Sequence, residues 1–188
     1  MKRTQTLILV ECAIMLALAC VLSEIKIWAM PMGGSVTLLS MLPIVLISIK
    51  HGLGIGIPLA GLYSLVQLMM SRFVFFGWGL TGTAIFGVFM LDYIVAFSVL
   101  GFAGIFRKKG LPGWIAGISI VMILRFLSHF ASGILIFGQW APEGSTPFMH
   151  SLLYNGTYML PELVFTLIGA IFLMKTPVIH KMFTPEVS

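Results

Sequence analysis

The sequence predicts an all-α integral membrane protein: one domain over residues 1–188, six transmembrane helices in a bundle, both termini cytoplasmic. Three observations carry this. Hydrophobic residues make up 59% of the chain and charged residues 9%, and the mean hydropathy is +1.08. A soluble domain covers its surface with about 25% charged residues, so the solvent for most of this surface is lipid. A span needs about 20 apolar residues, so the chain has room for roughly six spans and no separate soluble domain. Finally, the basic residues gather in alternate connections between apolar runs.

The helices are placed at roughly 6–28, 36–50, 53–71, 83–106, 113–138 and 157–176. The first begins in MKRTQTLILVECAIMLALAC, which has the outline of a bacterial lipoprotein signal. Glu11 interrupts its apolar stretch, Ala17 stands where such signals carry Leu, and the apolar pattern runs on past Cys20. It therefore reads as a transmembrane helix. Cys12 and Cys20 both lie in it, eight residues apart, beyond disulfide reach on a helix, and are expected to pack as small apolar side chains. The second helix is short. The third carries Gly52, Gly54, Gly56, Gly61 and Pro58, which suit close packing and a kink. Breakers separate the rest: Pro31 to Gly34, Gly77-Trp78-Gly79, Gly110 to Gly113, and Ala141 to Gly144.

Lys2 and Arg3, Lys50 and His51, Arg107 to Lys109, and Lys175, His180 and Lys181 fall on one side of this arrangement. The other connections hold little beyond Lys26 and Arg72. The positive-inside rule makes the richer side cytoplasmic, and an even number of spans puts both termini there. The net charge of +5 lies in these short clusters and forms no basic face, so nucleic acid is not an expected partner.

Asp92 sits in FMLDYIVAFSVLGFAGIF, an otherwise apolar span. An ionised carboxylate at the bilayer centre costs roughly 3 kcal/mol on insertion scales, so a side chain or an external cation must offset it. Asp92 lies about 14 Å into the fourth helix at 1.5 Å per residue, and His129 on the fifth falls at a similar depth. His150, Tyr154, Asn155 and Tyr158 lie near the outer start of the sixth. Tyr63 and Gln67 share a face of the third. Tyr93, Phe137 and Trp140 surround them. Polar and aromatic groups thus converge on the outer half, as a pocket and not as a path through the bilayer. Two structural alternatives stand beside this: Asp92 and Arg125 as an ion pair that only packs helices, and His129 as an interhelical hydrogen-bonding residue. Glu11 reads as structural, and Trp28, Trp78 and Trp140 read as an interfacial belt. No metal-binding spacing, nucleophile motif or phosphate loop is present, so no enzyme activity, metal or cofactor is expected.

Four blocks carry a family resemblance: MPMGGSVTLLSMLPI (30–44), LDYIVAFSVLGFAG (91–104), RFLSHFASGILIFGQWAPEG (125–144) and SLLYNGTYMLPE (151–162). In order and over nearly the whole chain, they resemble the thiamine-specific S-component of energy-coupling factor (ECF) transporters. The resemblance implies a bacterial cell-membrane protein that captures thiamine from outside with high affinity. Its implied partners are a transmembrane coupling protein and two cytosolic ATPase subunits, which would spend the ATP. It implies ligand contacts at Asp92 and Tyr93, the former often Glu in the family, and at His129 and Gly133. It implies others at Phe137 (Trp in some members), Asn155 and Tyr63. His150 replaces a family Tyr. Small residues four apart on the first helix, Ala13 and Ala17, match the family's docking spacing, with Ala17 and Val21 as the other alignment. Thiamine's thiazolium cation suits a carboxylate in a low-dielectric site and aromatic faces. The competing readings are an S-component for another small cationic heterocycle or vitamin precursor, and a solitary proton-coupled carrier using Asp92, His129 and Arg125 as a relay.

Overall fold

The computed structural model describes residues 3–177; Lys2, His180 and Lys181, expected to mark the cytoplasmic side, lie outside the described residues. The architecture is mostly helical. Four described stretches are long and apolar enough to cross a membrane: Thr4–Glu24, Leu53–Met70, Gly82–Leu135 and Pro147–Lys175. Leu42–His51 is apolar but shorter. Leu7, Ile14, Leu135 and Phe172 are among many large apolar side chains that face outward, as lipid requires.

Helix α1 (Arg3–Glu24) ends four residues before the expected position. The segment that follows is extended, not helical: β1 (Lys26–Ala29) pairs antiparallel with β2 (Ser35–Thr37). The fold is therefore not purely α. All four residues of β1 are exposed, and β2 carries the hairpin's buried side. Val36 and Thr37 of β2 are buried, Val36 against Tyr158 and Met159. The second helix consequently starts late, as α2 (Leu42–His51).

Helix α3 (Leu53–Met70) holds Pro58 inside it. A short 3-10 turn, Val74–Trp78, leads to α4 (Gly82–Val88), which Thr81 caps by accepting the Ala84 N–H. The same rod then widens to a π-helix over Phe89–Val95, passes through α5 (Ala96–Ser98) and tightens to 3-10 geometry over Val99–Lys109. Phe106 leaves helical geometry, and α6 (Gly110–Leu135) packs back on this stretch. The final helix, α7 (Pro147–Lys175), begins ten residues before the expected start at 157. Its polar first turns obscure it in an apolar-run reading. The signal was capping: the Thr146 hydroxyl accepts the Met149 N–H and Pro147 occupies the first turn. Glu162 accordingly sits about four turns into the helix at 3.6 residues per turn.

The core runs through α2, α3, α6 and the 89–109 rod. Ile44, Val45, Ile47, Ala60, Leu100 and Ile118 are fully buried there. Cys12 and Cys20 are free, as expected of packing cysteines. At the end remote from the hairpin, Glu11 holds Lys50 at 2.5 Å and His51 at 2.9 Å. Arg107 donates to the Lys50 carbonyl at 2.9 Å.

Candidate functional site

The hairpin lies against α7. The Tyr154 hydroxyl donates to the Pro31 carbonyl and accepts the Gly34 N–H. A Cβ at position 34 would stand 2.8 Å from the Tyr158 ring, so only glycine lets the hairpin tip settle there. At the foot of β2, the Glu162 carboxylate accepts both the Thr37 N–H at 2.8 Å and the Thr37 hydroxyl at 2.5 Å. Glu162 is 1% exposed. A backbone amide and a hydroxyl are what let a carboxylate stay buried, and they bind the hairpin's base to the last helix.

Beneath the hairpin is a cavity of about 210 Å³. Tyr63, Asp92, Tyr93, His129, Gly133, Phe137, His150 and Asn155 all line it. Residues from five helical segments, far apart in sequence, thus face one space. Gln67, Arg125, Tyr154 and Tyr158 join them. Ala13 and Ala17, the candidate docking pair, lie elsewhere, on the exposed side of α1.

The carboxylate of Asp92 has its partners on α6. His129 Nδ1 lies 2.9 Å from one oxygen, and the Ser132 hydroxyl donates to the other at 2.5 Å. Ser128 donates to the Leu91 carbonyl at 2.6 Å. Leu91 and Asp92 lie in the π-helical turn, where wider winding loosens the ordinary ladder and leaves backbone groups for outside partners. Ser128, His129 and Ser132 share one face of α6, so three side chains grip that turn and hold Asp92 and Tyr93 toward the cavity. The two serines were not singled out from sequence; their helical spacing around His129 was the available signal.

Arg125 does not pair with Asp92, which corrects the ion-pair alternative. Its guanidinium lies over the Phe97 ring, 4.5 Å from the centroid, and Nη1 reaches the Met41 sulfur at 2.7 Å. One turn along α6 from His129, Arg125 meets Met41 and Phe97, while the Asp92 carboxylate is met by His129 and Ser132. Arg125 Nε, His129 Nε2 and Gln67 Nε2 are buried with no hydrogen-bond partner among the described residues. Buried polar atoms are almost always paired. All three residues line the cavity, so a ligand bearing both donors and acceptors matches them.

Asn155 and Gly133 both meet Ser151. The Asn155 amide donates to the Ser151 carbonyl at 3.0 Å and hydroxyl at 3.1 Å, and its oxygen accepts from Tyr158 at 2.8 Å. A Cβ on Gly133 would collide with the Ser151 hydroxyl and stand 2.8 Å from the Ser151 Cβ. The glycine therefore sets how closely α6 and α7 approach. Phe137 and Trp78 pair edge to face at 5.7 Å, and Trp140 lies beyond Phe137 at 5.7 Å. Trp78, expected in the interfacial belt, instead lines the cavity with Phe75.

A lipid-facing helical bundle with a hairpin seated over one polar and aromatic cavity is the form of a membrane protein that holds a small molecule. The chain belongs to the thiamine transporter protein family (Thia_YuaJ), whose model matches residues 9–181. It is 34% identical to the thiamine transporter ThiT of Bacillus subtilis (strain 168) over 183 residues, 89% of this chain and 90% of that one. ThiT of Lacticaseibacillus paracasei is 27% identical over 144 residues, 65% of this chain and 70% of that one. Among solved structures, ThiT from Listeria monocytogenes superposes with a TM-score of 0.78 at 26% identity, covering 97% of this chain and 100% of that one. The family is one of transporters, not enzymes.

Proposed function

We propose that this protein is the thiamine-binding S-component of an ECF-type importer in a bacterial plasma membrane. It captures thiamine from outside with high affinity and passes it inward with a transmembrane coupling protein and two cytosolic ATPases. In this reading the chain crosses the membrane six times with both termini cytoplasmic, and Ala13 and Ala17 face the coupling protein. The Glu11, Lys50, His51 and Arg107 cluster lies at the cytoplasmic end and the hairpin at the outer end, which agrees with the charge distribution in the sequence.

The observation that carries the reading is the pairing in one cavity of a partly buried carboxylate with unpartnered polar atoms and aromatic rings. Each matches one part of thiamine. Asp92 neutralises the thiazolium cation. With Nδ1–H turned to Asp92, His129 presents Nε2 as an acceptor for the aminopyrimidine amino group. Arg125 and Gln67 supply donors to ring nitrogens or the hydroxyl. Tyr63, Tyr93, Phe137 and His150 bound the rings, and cation–π attraction adds about 0.5–2 kcal/mol. Asn155 and Gly133 keep α6 and α7 at the required separation.

The test is calorimetric titration of the detergent-solubilised protein with thiamine, riboflavin and biotin. Saturable binding of thiamine at nanomolar to low micromolar concentration, with no response to the other two, is expected. Equal binding of all three, or of none, would overturn the reading. Uptake into vesicles that contain this chain without any ATPase would overturn the ECF assignment and favour a solitary carrier.

A further inference from the structure

The chain has four tryptophans, and the structure separates them sharply. Trp28 stands on β1, 51% exposed. Trp114 is buried near the remote end, its indole N–H donated to the Arg107 carbonyl at 2.9 Å. Trp140 lies outside Phe137 and is 38% exposed. Trp78 alone of the four lines the cavity.

The local geometry aims it there. Trp78 closes the 3-10 turn Val74–Trp78, between Phe73 at φ 52° and Gly79 at φ 68°. Side chains three apart in a 3-10 helix eclipse one another, so Phe75 and Trp78 point the same way, while Phe76 points out at 56% exposure. Phe75 is fully buried and anchors the turn, with ring centroids 5.2 Å from Phe89 and 6.0 Å from Tyr93. Both of those partners belong to the π-helical turn that carries Asp92. The tryptophan is thereby fixed relative to the carboxylate. It pairs edge to face with Phe137 at 73°, an arrangement of rings onto which a third aromatic ring can pack.

We infer that Trp78 is a direct aromatic contact of the bound heterocycle, paired with Phe137, and the fluorophore that reports its arrival. The inference rests on the proposed thiamine reading and adds a contact from the connection between α3 and α4.

The test uses the full-length protein and thiamine, read by calorimetry and tryptophan fluorescence on the same samples. The variants are Trp78→Phe, Trp78→Ala and, as controls, Trp28→Phe and Trp140→Phe. Trp78→Phe keeps a ring, so it is expected to retain affinity within about threefold while losing most of the quenching. Trp78→Ala is expected to bind about tenfold or more weaker, the scale of one lost stacking or cation–π contact. Both control variants should keep the quenching. Retained quenching in Trp78→Phe, or unsubstituted affinity in Trp78→Ala, overturns the inference while leaving the thiamine reading intact. Absence of calorimetric binding by the unsubstituted protein overturns both.

Discussion

Replacing Asp92 by Asn removes one charge and little volume. A cation about 5 Å from the carboxylate, at an effective dielectric near 20, gains about 3 kcal/mol. The side chain is buried enough for that dielectric to apply, at 16% exposure. The substitution also disturbs two hydrogen bonds. The new amide oxygen can accept from His129 or Ser132, but the NH₂ must then face the other donor, which costs about 1 kcal/mol. That cost falls on the free and the bound protein alike and largely cancels in affinity. The expected loss is therefore about 2–3 kcal/mol, or on the order of 30- to 150-fold in Kd. Isothermal titration with thiamine measures it, with Asp92→Glu as the charge-preserving control and a melting curve to establish folding. A folded Asp92→Asn protein that binds thiamine within about twofold of the unsubstituted one would refute the counter-ion role.

Three further outcomes follow from the geometry. Gly133→Ala drives a Cβ into the Ser151 side chain; prising α6 from α7 should lower stability by about 1–3 kcal/mol and weaken thiamine binding, both measurable by melting with and without ligand. Tyr154→Phe removes the hydroxyl that joins α7 to Pro31 and Gly34; stopped-flow measurement should find faster thiamine dissociation, and an unchanged off-rate would exclude the hairpin contact as a brake. Glu162→Gln keeps one acceptor for Thr37 but turns an amide toward the other bond; about 1–3 kcal/mol of stability should be lost, visible as a lower melting midpoint, whereas an equal or higher one would mean the carboxyl does not hold β2.

The membrane class, the apolar helical runs and several cavity-lining residues, Asp92, His129 and Tyr63 among them, were legible in the sequence because each rests on a local rule. Too little charge to cover a surface means lipid. Gly and Pro punctuation divides the chain. A carboxylate in an apolar span demands a partner, and the depth argument put Asp92 and His129 at a similar level; the structure sets them 2.9 Å apart. The hairpin and the start of α7 were less legible, since an apolar-run reading is blind to short strands and to helices with polar first turns.

Which partner each polar group takes was decided only in three dimensions. Arg125 and His129 are one turn apart on the same face of α6, yet that step along the axis sends one to Met41 and Phe97 and the other to the Asp92 carboxylate. Thr37 and Glu162 are 125 residues apart and no periodicity links them. Trp78 and Trp140 are the same residue type, each closing a short 3-10 turn, but the turn anchored by Phe75 faces one inward. Sequence determines how much each side chain would gain or lose by burial. The angles at which helices pack determine which few donors and acceptors come within bonding reach of one another, and hydrogen bonds depend on that distance.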